Sequence, residues 1–254
     1  MTMENKEKKR LNTNSNVYTI IYAVIIVVVV AFLLAFVSRS LADKQNANVA
    51  LDKKKQILYA LNIRNLSDEQ ATEKYNEVVK NDAILNIEGQ WTDAEGKVID
   101  NPSEGNDKNG FLLNSSDFKA DKLAVFICQV DGKQKFVVPV YGMGLWGPIS
   151  GYLALNDDMR TIYGAYFNHE GETAGLGAEI KDNEQWQAQF KDKHIFAADN
   201  DGEIALAVMK KVDDTTTQVD VVTGATLTSD GVSQMLKEGL SKYMKFIKNN
   251  EGGK

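Results

Sequence analysis

The chain has 254 residues, 43% hydrophobic and 25% charged with only 3 prolines, which is the composition of a folded protein and excludes a disordered or collagen-like chain. Its formal charge is -6, from 29 basic and 35 acidic side chains, and the lysines lie scattered among carboxylates instead of in a basic stripe, so nucleic acid is set aside as a partner. One cysteine, Cys128, rules out an internal disulfide and a Cys-rich metal or iron–sulfur site, and two histidines, His169 and His194, leave metal centres and nucleophilic triads thinly supplied.

The first element in chain order is Val17 to Val37, 21 residues without a charge, in which Thr19 and two tyrosines are the only polar side chains. At ~1.5 Å per residue a helix of that length spans ~30 Å, the thickness of a bilayer's hydrocarbon core, so a transmembrane helix is expected. A cleaved signal peptide is the rival reading, because Lys6, Lys8, Lys9 and Arg10 precede the run and Ser40-Leu41-Ala42 mimics a cleavage site. Signal h-regions, however, run only about 7–15 residues. Basic residues on both sides (Arg39, Lys44 and Lys53 to Lys55 downstream) leave the orientation undecided by charge. A helix without an ionisable group offers no ion path of its own.

After the anchor, Asp52 to Asn62 reads as an amphipathic stretch, and Ser67-Asp-Glu-Gln70 opens a second helix, reaching about Val79, through a capping box. From Ala83 the pattern turns to strands: Ala83–Glu88, Lys97–Asp100, Leu123–Val130, Lys135–Val140, Gly151–Leu155 and Thr161–Phe167, with an Asp131-Gly132 hairpin signal. A helix capped by Asp182 runs to Phe190, strands recur at Ile204–Met209 and Gln218–Val222, and Ser229 caps a last helix whose apolar face is Val232, Met235, Leu236, Leu240, Tyr243 and Ile247. The fold class expected is α+β: a single N-terminal transmembrane helix, a helical stalk and a mostly antiparallel domain.

Three segments have the residues for chemistry. Val219 to Ser229 leaves a strand, passes Gly224-Ala225 and enters the last helix, placing hydroxyls beside free helix N–H groups where an anion such as phosphate is favoured. The same pattern suits a loop that only caps a helix. Tyr141-Gly-Met-Gly-Leu-Trp-Gly-Pro-Ile149 sets glycines around Trp146, as a flat ligand or a plain tight turn requires. His169 to Glu179 repeats the glycine–hydrophobe pattern with polar side chains; a metal site on His169, Glu170 and Glu172 competes there with a surface loop of solvated carboxylates.

Asp220-Val-Val-Thr-Gly-Ala-Thr226 resembles the Asp-x-x-[Ser/Thr]-Gly-Ala-[Ser/Thr] flavinylation motif, whose final hydroxyl is esterified to the phosphate of FMN. Taken with Gly142–Gly147, Glu172–Gly177, the anchor and the Asp52–Leu58 stalk, the chain is similar to the C subunits of sodium-translocating NADH:quinone oxidoreductases. The G subunits of the Rnf ferredoxin:NAD reductase complex share domain and motif. The longer domain here, with its Trp-Gly-Pro turn and the Ala83–Leu113 stretch, favours the C type.

The resemblance implies FMN attached covalently to Thr226 by a flavin transferase that draws on FAD and releases AMP, with Asp220, Thr223, Gly224 and Ala225 completing the attachment motif. It implies a flavin ring between Gly144, Leu145 and Trp146 on one side and Glu172, Thr173, Leu176 and Gly177 on the other. Catalytic and metal residues are expected to be none. It further implies that the protein relays electrons beside other subunits of a membrane redox complex and is inactive alone; no Gly-x-Gly-x-x-Gly turn opens a helix to bind NADH. Expected boundaries are a cytoplasmic tail 1–16, the transmembrane helix 17–37, a helical stalk 38–80 and an FMN-binding domain 81–254, periplasmic from a single pass of the inner membrane. The alternative of another class is a non-redox membrane-anchored binding or scaffold module.

Overall fold

A computed structural model describes residues 13, 15–102 and 109–250; the basic residues Lys6 to Arg10 and part of the Ala83–Leu113 stretch lie outside them. The chain divides into two compact units, residues 1–50 and 51–254. In the first, helix α1 (Asn16–Ala60) begins, and its most apolar window has no buried residue, which makes it a candidate membrane span. The apolar run and the amphipathic stretch expected as separate elements are one continuous helix of 45 residues, since nothing between them breaks helical geometry. It stops where Asn62 takes the left-handed conformation (φ 59°) and the Ile63 N–H returns to the Leu58 carbonyl, an Asn-terminated C-cap.

The second unit is α+β. Helix α2 (Asp68–Val78) starts with the expected capping box, the Ser67 hydroxyl accepting from Gln70 N and the Gln70 side chain accepting from Ser67 N. Strand β1 (Val79–Leu85) follows without a loop, because Val79 is already extended at the helix C-cap. Then come β2 (Trp91–Thr92), a helical turn at Gly110–Leu112, α3 (Ser115–Lys119), β3 (Leu123–Val130), β4 (Lys133–Met143), β5 (Pro148–Leu155) and β6 (Ile162–His169). These six strands form one antiparallel sheet in the order β2-β1-β3-β4-β5-β6. The β3–β4 turn has Asp131 at φ 50° and Gly132 at φ 74° between the paired Val130 and Lys133, the two left-handed residues of a tight hairpin.

After the sheet the chain forms α4 (Glu179–Asp182), α5 (Glu184–Ala188), β7 (Phe196–Ala197), β8 (Asn200–Ile204), β9 (Ala207–Met209), β10 (Gln218–Asp220) and α6 (Thr226–Asn250). The sheet is covered on both faces. Ile57, Leu58, Leu61, Tyr75 and Val78 pack on Phe126, Cys128, Val137, Tyr152 and Tyr166 of one face. On the other, Val232, Met235, Leu236, Leu240, Tyr243 and Ile247 of α6 pack with Val125, Val138, Val140, Leu153 and Phe167. Hence β3 reads as an almost continuous apolar run instead of an alternating one.

Pro139 interrupts the donors of β4, an inner strand, and the buried Tyr243 hydroxyl lies 3.0 Å from the Ala124 carbonyl and 3.2 Å from that of Pro139, tying α6 to the sheet at that gap. The strand expected at Ala83–Glu88 runs instead from Val79 to Leu85, and four further expectations shift. Lys97–Asp100 contributes a single bridge, Thr92 to Val98, after the left-handed Gly96. Ile204–Met209 is broken at Ala205-Leu206 into two pairings. The helix around Trp186 is capped by Asn183, whose side chain accepts the Trp186 N–H, and not by Asp182. Finally, α6 starts at Thr226, so Ser229 lies inside it, fully buried, and its hydroxyl accepts the Val222 N–H at 3.1 Å.

Candidate functional site

All three segments singled out in the sequence meet at one end of the sheet. Gly144 to Gly147 is the tip of the β4–β5 hairpin, closed by Gly144 N to the Gly147 carbonyl at 2.8 Å. The loop 170–178 leaves β6, the next strand, and begins with Glu170 N on the Pro148 carbonyl at 3.1 Å. The third segment is the turn between β10 and α6. Trp186 Nε1 holds the Asp220 carbonyl at 2.7 Å, Val222 and Ala225 close the turn, and Gly224 takes φ 78°, which a side chain would strain. A Cβ on Gly224 would also lie 2.9 Å from Leu176 Cδ2, so the second and third segments are in close contact.

A buried carboxylate joins the segments. Glu172 is 7% exposed; its Oε1 accepts the Trp146 N–H at 2.9 Å and its Oε2 accepts the Thr228 hydroxyl at 2.6 Å. Its own N–H donates to His169 Nδ1 at 3.2 Å. A Cβ on Gly144 or on Gly177 would stand 2.4 Å from one or the other Glu172 oxygen. Two glycines that the sequence assigns to ligand approach are thus required by Glu172 itself.

The hydroxyls around the α6 start differ sharply. Thr226 is partly exposed in the first turn, Thr223 is exposed before Gly224, and Thr228 and Ser229 are buried and hydrogen-bonded. Ala225 is buried and the Asp220 side chain is exposed. Around them the surface is apolar: Trp146 is 69% exposed and Leu227 60%, with Met143, Leu145 and Leu176 also exposed. By contrast Trp91 packs edge-on against Phe246, and Trp186 against Phe167 and Phe190. Thr173 is exposed, and its carbonyl holds the loop by accepting the Leu176 and Ala178 N–H groups at 3.1 Å. At the hairpin base, burial pushes the Tyr141 phenol up to about 12, and its ring packs edge-on against Phe118. Among the described residues no group of three His, Cys, Asp or Glu gathers for a metal ion.

The arrangement fits FMN. An open tryptophan and leucines suit a flat ring, and a 25-residue helix presents free N–H groups at its start, beside the Thr226 hydroxyl, to a phosphate. Sequence reading missed Leu227 and the inward role of Thr228. Their signal was phase: Leu227 falls off the face set by Val232, Met235 and Leu236, whereas Thr228 falls on it.

Residues 144–241 match the sequence model of the FMN-binding domain family. The chain is 37% identical over 138 residues to the C subunit of the Na(+)-translocating NADH-quinone reductase of Pseudomonas aeruginosa, covering 50% of this chain and 52% of that one. It is 32% identical over 209 residues to the C subunit of the same reductase in Pasteurella multocida, covering 74% and 75%. The chain spans about half the length of the first curated relatives it matches. A crystal structure of the C subunit from Parabacteroides distasonis superposes with TM-score 0.71 and 36% identity, over 82% of this chain and 96% of that one.

Proposed function

The chain belongs to the family of C subunits of Na(+)-translocating NADH-quinone reductases, and from that premise we propose that it is a membrane-anchored flavoprotein subunit of such a translocase, carrying FMN as a phosphoester on Thr226. The observation that carries the reading is Thr226 itself: a partly exposed hydroxyl in the first turn of a long helix, next to an open apolar surface, while Thr228 and Ser229 are buried and engaged. The relatives are C subunits of the reductase, which favours this type over the Rnf G type. The match to an FMN-binding domain favours a redox role over a scaffold.

In maturation the Thr226 oxygen bonds to the FMN phosphorus of FAD as the pyrophosphate link breaks. AMP leaves with the bridging oxygen and the hydroxyl proton passes to solvent; FAD and a flavin transferase come from outside the chain. Asp220, exposed beside the turn, is open to that enzyme. When bound, the flavin supplies one-electron relay between neighbouring redox centres. The chain's own residues fix it: Thr226 prevents its diffusion, the first-turn N–H groups offset the phosphate charge, and Leu145, Trp146, Thr173 and Leu176 offer walls to the ring. Val17 to Val37 serves as the span between a cytoplasmic tail and a helical stalk that begins at residue 38, with the FMN-binding domain in the periplasm.

The test is Thr226→Ala in the full chain co-expressed with the transferase. In-gel flavin fluorescence disappears while the domain stays folded, because a lost hydroxyl at a helix start costs no more than ~1–2 kcal/mol. Fluorescence that persists in this variant contradicts the attachment site.

A further inference from the structure

Resting on the flavin reading above, we propose that Glu172 is a positioning residue which locks the Trp146 turn onto the start of α6 and does not itself bind the cofactor. Both carboxylate oxygens already have protein donors, Trp146 N–H at 2.9 Å and Thr228 O–H at 2.6 Å. The side chain lies under the surface, at 7% exposure, while the tryptophan whose backbone it holds is 69% exposed. Each oxygen meets one donor, Trp146 N–H from the hairpin and Thr228 O–H from α6, so the one carboxylate bridges the two segments from beneath the surface.

Its surroundings support the same role. Gly144 and Gly177 flank the carboxylate so closely that a Cβ at either would lie 2.4 Å from an oxygen. On the helix side, a Cβ on Gly231 would lie 2.4 Å from the Met143 carbonyl and 3.2 Å from Gly144 Cα, so the hairpin is seated directly on α6. The carboxylate thereby fixes the height of the indole-bearing turn above Thr226. It also removes Thr228 from competition as a donor to the phosphate, since that hydroxyl's proton is committed to Oε2. Glutamine keeps the length and one acceptor oxygen, with an amide that donates to the Thr228 oxygen; alanine loses both links.

The experiment uses the full chain co-expressed with the flavin transferase, as wild type, Glu172→Ala, Glu172→Gln, Thr228→Val and Trp146→Phe. Three quantities are read: covalent FMN by intact mass, flavin emission yield, and quenching of that emission by iodide. All variants carry FMN on Thr226. Glu172→Ala shows a several-fold rise in emission and in iodide quenching, as the indole no longer covers the ring; Thr228→Val shows a smaller rise in both, and Glu172→Gln stays close to wild type. Trp146→Phe raises emission with less change in iodide access, which separates loss of the quencher from loss of its position. Wild-type emission and quenching in flavinylated Glu172→Ala and Thr228→Val overturn the proposal. So does a Glu172→Gln chain that folds yet accepts no flavin, since the carboxylate then acts in attachment. Absence of covalent flavin from the wild type contradicts the functional reading itself, and the clamp's role toward a flavin with it. If Glu172→Ala does not fold, Thr228→Val and Glu172→Gln decide.

Discussion

Lys53 shows how a single side chain can set the pH response of the fold. Its ammonium donates to the Phe111 carbonyl and to that of Leu113 at 2.7 Å, and lies over the Phe111 ring. Desolvation by burial lowers its pKa to about 8, against the opposing pull of Asp82 and Asp117. In the unfolded chain the same group titrates near ~10.4. Between the two values the unfolded state holds more protons, so stability rises with pH from about 8 upward. Above ~10 the buried tyrosines reverse the trend, because Tyr152 and Tyr243 resist ionisation in the folded state. Denaturant melts from pH 7.5 to 9.5 are expected to show this rise, and Lys53→Met to flatten it; a wild-type stability that falls across that window contradicts the assignment. Nothing in the sequence marks Lys53 out from Lys54 and Lys55, because its burial depends on a turn 58 residues away. The strand-to-helix turn through Gly224-Ala225 was legible for the opposite reason: its neighbours in sequence define it. The clamp by Glu172 was not, since its two partners are 26 and 56 residues distant.

At the scale of elements, α1 has two kinds of environment along one helix. Val17 to Val37 exposes its apolar side chains throughout, whereas Ile57, Leu58 and Ala60 are buried in the core shared with α2 and the sheet. A chain beginning at Leu51 is therefore expected to be soluble and cooperative in melting. One beginning at Asn62 forfeits the burial of Ile57, Leu58 and Leu61, ~1.5–3 kcal/mol each, and is expected to melt far lower or to aggregate. Equal midpoints for the two truncations, by circular dichroism, contradict this division. Elements whose information is local were legible: the α2 capping box, the Asp-Gly hairpin and β3, which runs from Leu123 to Val130 as expected. The start of α6 was misplaced by four residues because Ser229 is a good capping residue in isolation. Its hydroxyl is instead drawn inward to Val222 N, and the helix begins at Thr226. The two-residue β2 and the split at Ala205-Leu206 carry too little pattern to be seen without their partners.

Across the second unit as a whole, the sheet serves as a platform whose one end gathers a hairpin tip, a loop and a helix start, all tied through Glu172. That convergence joins residues 144–147, 170–177 and 220–228 into one site with an exposed apolar surface, which is what the proposed relay through a fixed FMN requires. Everything else rests on FMN being bonded to Thr226. The bond is measured most directly by tandem mass spectrometry of the tryptic peptide Val212–Lys237 from the full chain co-expressed with the flavin transferase. A mass increment of one FMN less one water is expected, with fragment ions placing it between Ala225 and Leu227. An unmodified peptide, or an adduct on Thr223, Thr228 or Ser229, contradicts it.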